Sequence, residues 1–320
     1  LGVVDILRNL FDPTLPLPDG SDLPHPSAPA RLALGAAGLL SLAADGLADR
    51  LPLRGPLSGR RVYSFAMTPL EPVRQLARLT GTRITDVLLA SVGQVVSGLS
   101  MADADRGRGR ARAARLRAAV PITTRAPAPA GTGRRAQPGN LTAALRLDVP
   151  LEPLPPLERL RRTARAAEPR RRSGRAIATT FVMRAIGLLP PALHRQAARA
   201  MYNGRFFAAI VSNMPGPSAE LTMGGGHIRD VYPILPLAAE VPLGVGTLGW
   251  NGQLCLSAIA DPARVPDADE LAERMVEAIE AMIATVALVP SALPTADGAG
   301  APGGQPGAAR DGRAEAGAPR

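Results

Sequence analysis

Phe206-Phe207-Ala208-Ala209-Ile210-Val211, followed at once by Ser212-Asn213-Met214-Pro215-Gly216-Pro217, sets a wholly apolar run against a polar turn bracketed by prolines. Six apolar residues are too few for a buried helix, and Pro215 and Pro217 bar one from continuing, so Phe206 to Val211 reads as a buried strand. Ser212 and Asn213 follow the end of that strand, and Pro-Gly-Pro makes a rigid turn.

Downstream, Gly224-Gly225-Gly226 lacks the lysine and following helix of a phosphate loop and reads as a strand-linking turn. Leu243 to Trp250 and Gln253 to Ala260 flank Asn251-Gly252, a hairpin signal because both turn positions need positive φ. Asp267 is expected to cap a last helix, with Glu270 completing a capping-box-like spacing and Leu271, Met275, Ile279, Met282 and Val286 on one face. From Pro290 onward few apolar anchors remain, and a disordered tail is expected.

Upstream, the pattern predicts a helix from Pro156 to about Ala167 and another from Ile177 to Arg199, broken at Pro190-Pro191. Asn140 to Val149 alternates at period two and Leu116 to Ile122 is an apolar run, both read as strands. Arg106 to Arg112 and Ala126 to Gly139 read as loops. Arg61 to Met67 is a further strand, after which Thr68-Pro69-Leu70-Glu71 offers a capping hydroxyl, a proline at the first helical position and an early acid. That helix runs to about Leu79. Gly81-Thr82 opens the next, whose apolar stripe Ile84, Val87, Leu88, Val92, Val95, Val96 and Leu99, widened by Leu89, predicts burial on most sides. Leu1 to Asn9 fits one helix face, residues 13 to 30 carry six prolines and read as an extended linker, and Arg31 to Arg50 reads as a core helix or a segment lying on lipid. Strands and helices in this order indicate an α/β sandwich.

No run of eighteen apolar residues occurs in the 320 residues, so no transmembrane anchor is expected, and Leu1 to Phe11 lacks the pattern of a secretory signal. The chain reads as cut at its front. The single cysteine, Cys255, fits a reducing, cytoplasmic compartment. The net charge is +10, yet all 37 basic residues are arginine, a usage that points to GC-rich coding. Residues 105 to 175 hold 18 Arg against 5 acids, and this local excess reads first as a solvated surface, then as a face for phosphates or anionic lipid. Nucleic acid is not expected as a partner, because aromatic residues make up 3% of the chain and leave little with which to stack bases.

Three segments carry a family likeness. Ser212-Asn213-Met214-Pro215-Gly216-Pro217 resembles the SN-x-PGP signature of the bacterial wax ester synthase/diacylglycerol acyltransferase family. Thr85-Asp86-Val87-Leu88-Leu89-Ala90 resembles its N-D-V-x-L-A helix start, with threonine in place of asparagine. Leu116 to Arg125 resembles its V-P-V-S-x-R strand, and Gly139-Asn140 its G-N strand opening. The likeness covers roughly residues 60 to 288, and the first residues resemble the helix that follows the family's catalytic H-H-x-x-x-D-G. That catalytic motif is absent. None of Asp19-Gly20, Asp45-Gly46, Asp297-Gly298 or Asp311-Gly312 has a histidine four or five positions earlier, and His25, His194 and His227 do not replace it.

The resemblance implies a CoA-dependent acyltransferase fold, a chloramphenicol acetyltransferase-like mixed-sheet sandwich, of which this chain is mostly the C-terminal half. It implies a remnant of an N-terminal half with a linker over residues 1–60, an acyltransferase domain over 61–289 and a tail over 290–320. The activity implied is transfer of a fatty acyl group from acyl-CoA to diacylglycerol or a long-chain alcohol, giving triacylglycerol or wax ester. A histidine outside this chain would remove the proton, and no cofactor is needed. Partners implied are acyl-CoA, the acceptor lipid, the missing N-terminal half and a peripheral membrane or lipid-droplet surface. Ser212, Asn213, Gly216 and Asn140 are candidates for lining the substrate channel or holding the thioester oxyanion. Ser212 and Asn213 have a second reading, in which they only satisfy the turn. Thr85, Asp86, Pro215 and Pro217 read as structural or inter-domain residues, Asp86 as a cap at a helix start. A non-catalytic lipid- or acyl-CoA-binding domain is the alternative function. Condensation domains of peptide synthesis share the two-half architecture, but SN-x-PGP argues against them.

Overall fold

Alternation at period two in the strands sorts their side chains into two layers. A computed structural model describes residues 55–105, 115–123, 142–172, 174–201, 203–216, 221–223 and 225–288, with a few isolated positions before residue 55. The expected helix at 1–9, the proline linker short of its last residues, most of 31–50, the loops at 106–112 and 126–139, Gly224 and the tail from 290 lie outside the described residues.

The order of elements is β1 (Val62–Pro69), α1 (Leu70–Thr80), α2 (Ile84–Asp105), β2 (Arg115–Thr123), β3 (Thr142–Pro150), α3 (Pro156–Arg172), α4 (Arg175–Gly187), α5 (Pro191–Met201), β4 (Ala209–Met214), β5 (Thr222–Met223), β6 (Gly226–His227), β7 (Leu243–Trp250), β8 (Gln253–Ala260) and α6 (Leu271–Ala287). Six strands form one sheet in the order β1-β8-β7-β4-β2-β3. β4 runs parallel to both β2 and β7, while the remaining pairs are antiparallel. The sheet is therefore mixed, in an α/β fold.

One face meets the helices. Leu145 and Leu147 of β3, Val211 of β4, Val245 of β7 and Leu256 of β8 form a single apolar cluster with Val87, Leu88 and Val92 of α2, Leu160 of α3 and Ile279 of α6. α2 is enclosed as its stripe predicts, with Val87, Leu88 and Leu89 fully buried. The opposite face is covered along β7 and β8 by the irregular segment 228–242. Pro233 O lies where a Cβ on Gly246 would come within 2.7 Å, so glycine at that position lets the segment lie flat on the sheet. Ser257 Oγ donates to Pro233 O, and Trp250 Nε1 donates to Ile228 O at 3.3 Å. No described helix is long and apolar enough to cross a membrane.

Asn251 and Gly252 turn the β7–β8 hairpin with φ of 43° and 76°, as their pairing predicts. Several element ends differ from expectation. Thr68 is no helix cap: it is the penultimate residue of β1, and Pro69 precedes α1 with no side-chain capping bond. Asp267 does not cap α6, which starts at Leu271; Ser64 Oγ of β1 instead accepts the Ala272 N–H at 3.1 Å. A neighbouring strand thus satisfies a donor that local sequence was expected to satisfy. β4 starts at Ala209 rather than Phe206, because Phe206 is held in a turn by its N–H to Asn203 O at 3.0 Å. Ser212 and Asn213 consequently lie inside the strand. α3 runs past Ala167, through Pro169, to Arg172.

That extension is anchored by charge. Arg170 Nη2 donates to Asp148 Oδ2 at 2.6 Å and Arg171 Nη1 to Asp86 Oδ2 at 3.2 Å, which holds the last turn of α3 despite the donor that Pro169 lacks. Asp148 also accepts from Arg117 Nε at 2.7 Å, with the two side chains only 4% and 8% exposed. Arg159 is 1% exposed and donates to Gln94 Oε1 at 3.0 Å and to the carbonyls of Pro150 and Glu152. Part of the basic region is therefore interior and not the solvated surface its composition predicts.

Burial alone would raise the Asp148 pKa, but the bond from Arg117 and the charges of Arg170, Arg117 and Arg115 together hold it below the ordinary carboxylate value. A depressed folded-state pKa contributes stability that is present above the unfolded-state pKa and is lost as the pH falls through the folded one. Asp148→Ala removes the carboxylate bonded to the buried Arg117 and is expected to cost about 3–5 kcal/mol at pH 7. Urea titrations from pH 7 down to pH 3 check this. The gap between parent and variant should close with acid, and equal stability at pH 7 would refute the assignment.

Candidate functional site at the end of β4

β4 is central in the sheet, and its alternation sends Ser212 and Asn213 to opposite faces. Asn213 stands on the helix side, opposite Thr247, whose Oγ1 donates to Asn213 Oδ1 at 2.9 Å. Ser212 stands on the other side, opposite Gly246, and is 8% exposed. Its hydroxyl makes no hydrogen bond to a described residue and is not sealed from solvent; the sealed, unpartnered side-chain polar atom among the described residues is Thr163 Oγ1. The space above Gly246 on that face is taken by Pro233 and the Ser257 hydroxyl. A hydroxyl with a donor still to place can bond a carbonyl or an oxyanion.

After Met214 the chain turns at Pro215. A Cβ on Gly216 would lie 1.8 Å from Gly249 O, so the backbone there abuts β7 closely enough that only glycine fits. Pro215 is exposed. Pro217 and Asn140 lie outside the described residues, so two of the proposed site positions have no placement.

Thr85 and Asp86 occupy the first turn of α2. Asp86 is 1% exposed and accepts the Arg83 N–H at 3.1 Å, closing the helix start, while Arg171 of α3 pairs with its carboxylate. Thr85 is half-buried and makes no hydrogen bond to a described residue. No hydrogen bond or ion pair joins this pair to Ser212 and Asn213 among the described residues. Sequence reasoning missed Arg171 as the partner of Asp86, and missed Thr247 as the partner of Asn213. Only strand register brings Thr247 there, and no local pattern marks it.

Burial pushes the Cys255 thiol up, against a backbone bond from Val231 that lowers it, so it is no ready nucleophile. His194 is exposed at the start of α5 and His227 is exposed on β6. Among the described residues no group of three His, Cys, Asp or Glu side chains is placed to hold a metal ion.

The sheet and helix arrangement resembles that of a wax ester synthase/diacylglycerol acyltransferase from Marinobacter aquaeolei VT8, with a TM-score of 0.59 at 16% identity over 89% of this chain and 65% of that one. It also resembles the nonribosomal peptide synthetase FmoA3, with a TM-score of 0.53 at 17% identity over 81% of this chain and 25% of that one. These likenesses show the fold that the chain shares with both, a mixed sheet packed against helices. Residues 138–283 match the family model of the WS/DGAT C-terminal domain, and the Ser212–Pro217 stretch lies inside that match. A putative diacylglycerol O-acyltransferase of Mycobacterium bovis is 28% identical over 251 residues, 78% of this chain and 51% of that protein. The chain spans about half the length of the curated relatives it matches.

Two substitutions separate the roles of neighbouring residues. Ser212→Ala removes a hydroxyl with no partner and is expected to leave the melting temperature within about 2 °C of the parent. Gly216→Ala drives a methyl into Gly249 O and is expected to cost at least about 1–3 kcal/mol. Thermal melts of both variants check this, and a Ser212→Ala loss as large as that of Gly216→Ala would show that the hydroxyl is bonded after all.

Proposed function

We propose that this chain is the substrate-shaping half of an acyl-CoA-dependent O-acyltransferase that esterifies diacylglycerol or a long-chain alcohol. The observation that carries the reading is the Ser212 hydroxyl, free of any described protein partner and not sealed from solvent, on a central strand inside the segment that matches the WS/DGAT C-terminal domain. In the reaction a base takes the proton of the acceptor hydroxyl, and its oxygen adds to the thioester carbonyl. The tetrahedral intermediate then expels the CoA thiolate, which collects the proton. Ser212 is suited to donate to the oxyanion, a contribution worth about 10²–10³ in kcat for donors of this kind. The base is a histidine outside residues 1–320, since no H-H-x-x-x-D-G occurs in the sequence. Asn213, bonded to Thr247 on the helix side, holds strand register and does not face the same substrate.

The purified 320-residue chain, titrated with palmitoyl-CoA and then supplied with dioleoylglycerol or hexadecanol, tests this. Binding of palmitoyl-CoA without ester formation is expected. Ester made by the chain alone overturns the division of labour, and absence of palmitoyl-CoA binding overturns the reading. Binding that never becomes transfer when a polypeptide bearing H-H-x-x-x-D-G is added would instead mark a non-catalytic acyl-CoA-binding domain.

A further inference from the structure

Away from β4, the start of α2 and the later turns of α3 enclose a hollow of about 580 Å³. Five arginines line it, Arg83, Arg161, Arg165, Arg171 and Arg172, against two carboxylates, Asp86 and Glu168. The carboxylates are already engaged. Asp86 is held by Arg171 and by the Arg83 N–H, and Glu168 accepts from Arg172 Nε at 2.7 Å. Arg161 and Arg165 stand one helical turn apart and share only the long-range field of Glu158, whose own carboxylate is bonded to Arg162 at 2.8 Å. Like charges at that spacing destabilise a helix. Placing Arg161 and Arg165 side by side at the hollow is thus unfavourable by itself, and an anion in the hollow would reverse the sign of the effect. The amino end of the 22-residue α2 opens on the same space and adds partial positive charge.

We infer that this hollow binds the phosphates of a soluble phosphorylated ligand. Guanidinium forks match phosphate oxygens in geometry as well as charge, and arginine is the only cation this sequence uses. A concavity of this volume admits a discrete head group and not a bilayer surface. On the acyltransferase reading above, on which this step rests, the ligand is the nucleotide head of the acyl-CoA donor, which carries several phosphates on one molecule. Arg161 and Arg165 are its contact residues, and the Arg171–Asp86 pair forms the fixed wall that orients them. Nothing in the SN-x-PGP stretch performs this task, so the two sites contribute separately.

The test uses the full chain and calorimetric titration with CoA, adenosine 3′,5′-bisphosphate, inorganic phosphate and palmitoyl-CoA, alongside phosphatidylglycerol vesicles. The double variant R161Q/R165Q changes two exposed side chains, and its melting curve shows whether the fold is kept. CoA binding at least tenfold weaker in that variant, and falling steeply with salt in the parent, is the expected result. If palmitoyl-CoA binds parent and variant alike, the hollow is not the phosphate site, while the acyltransferase reading stands. Should adenosine bisphosphate bind the parent and not the variant, with palmitoyl-CoA binding no more tightly than the bisphosphate, the phosphate site stands and the acyltransferase reading falls. Vesicle binding that CoA displaces and the variant loses would reassign the hollow to a lipid head group and overturn the nucleotide assignment.

Discussion

β4 is the strand through which two antiparallel blocks become one sheet. The β2–β3 hairpin lies to one side and the β1–β8–β7 block to the other, and both meet β4 in parallel. Six residue pairs join it to β7, but only Ala118↔Ala209 and Ala119↔Ile210 join it to β2. Hydrogen bonds on both edges and cover on both faces require a strand that carries no charge, and Ala209 to Val211 meets that demand. The same enclosure gives the polar residues that follow their meaning. A hydroxyl or amide introduced into such a strand must find a partner or a ligand, because desolvation without one costs free energy. Asn213 has found Thr247. Ser212 has not.

The turn beyond β4 extends this logic. Pro215 ends the ladder because it has no N–H to give, and Gly216 allows the backbone to press against Gly249 O. Gly246 does the same for the segment 228–242 on the Ser212 face. The candidate site is therefore shaped by backbone approaching backbone, and its one polar side chain is set into that frame. A rigid frame of this kind holds a donor in place without reorganisation, which is what stabilisation of an oxyanion needs.

Charge is distributed in two ways in the same basic region. Arg117, Arg170 and Arg171 are drawn inward by Asp148 and Asp86, and they fasten α3 to the sheet and to α2. Arg161, Arg165 and Arg172 occupy the opposite, outward stripe of α3 and turn toward the hollow. The helix survives Pro169 because the inward set ties its last turn to two nearly buried carboxylates. In composition these arginines are indistinguishable, and only the tertiary structure separates Arg117 and Arg170, held by Asp148, from Arg161 and Arg165, which line the hollow.

Most strands and helices were legible from local pattern, since apolar periodicity and the Asn251-Gly252 turn act over a few residues. The family likeness was legible too, because SN-x-PGP and Thr85-Asp86 are contiguous in the chain. Element ends were not: Thr68 and Asp267 have the chemistry of caps, yet Ser64, 208 residues from Ala272, satisfies the helix start that Asp267 was expected to cap. Sequence by itself determined which segments become strands and helices, because that choice rests on side-chain period and on the restricted dihedrals of proline and glycine. Tertiary structure alone decided which polar groups are paired, placing Asn213 with Thr247, Asp86 with Arg171 and Ser212 with nothing, because pairing depends on distances between residues that strand register and helix packing bring together.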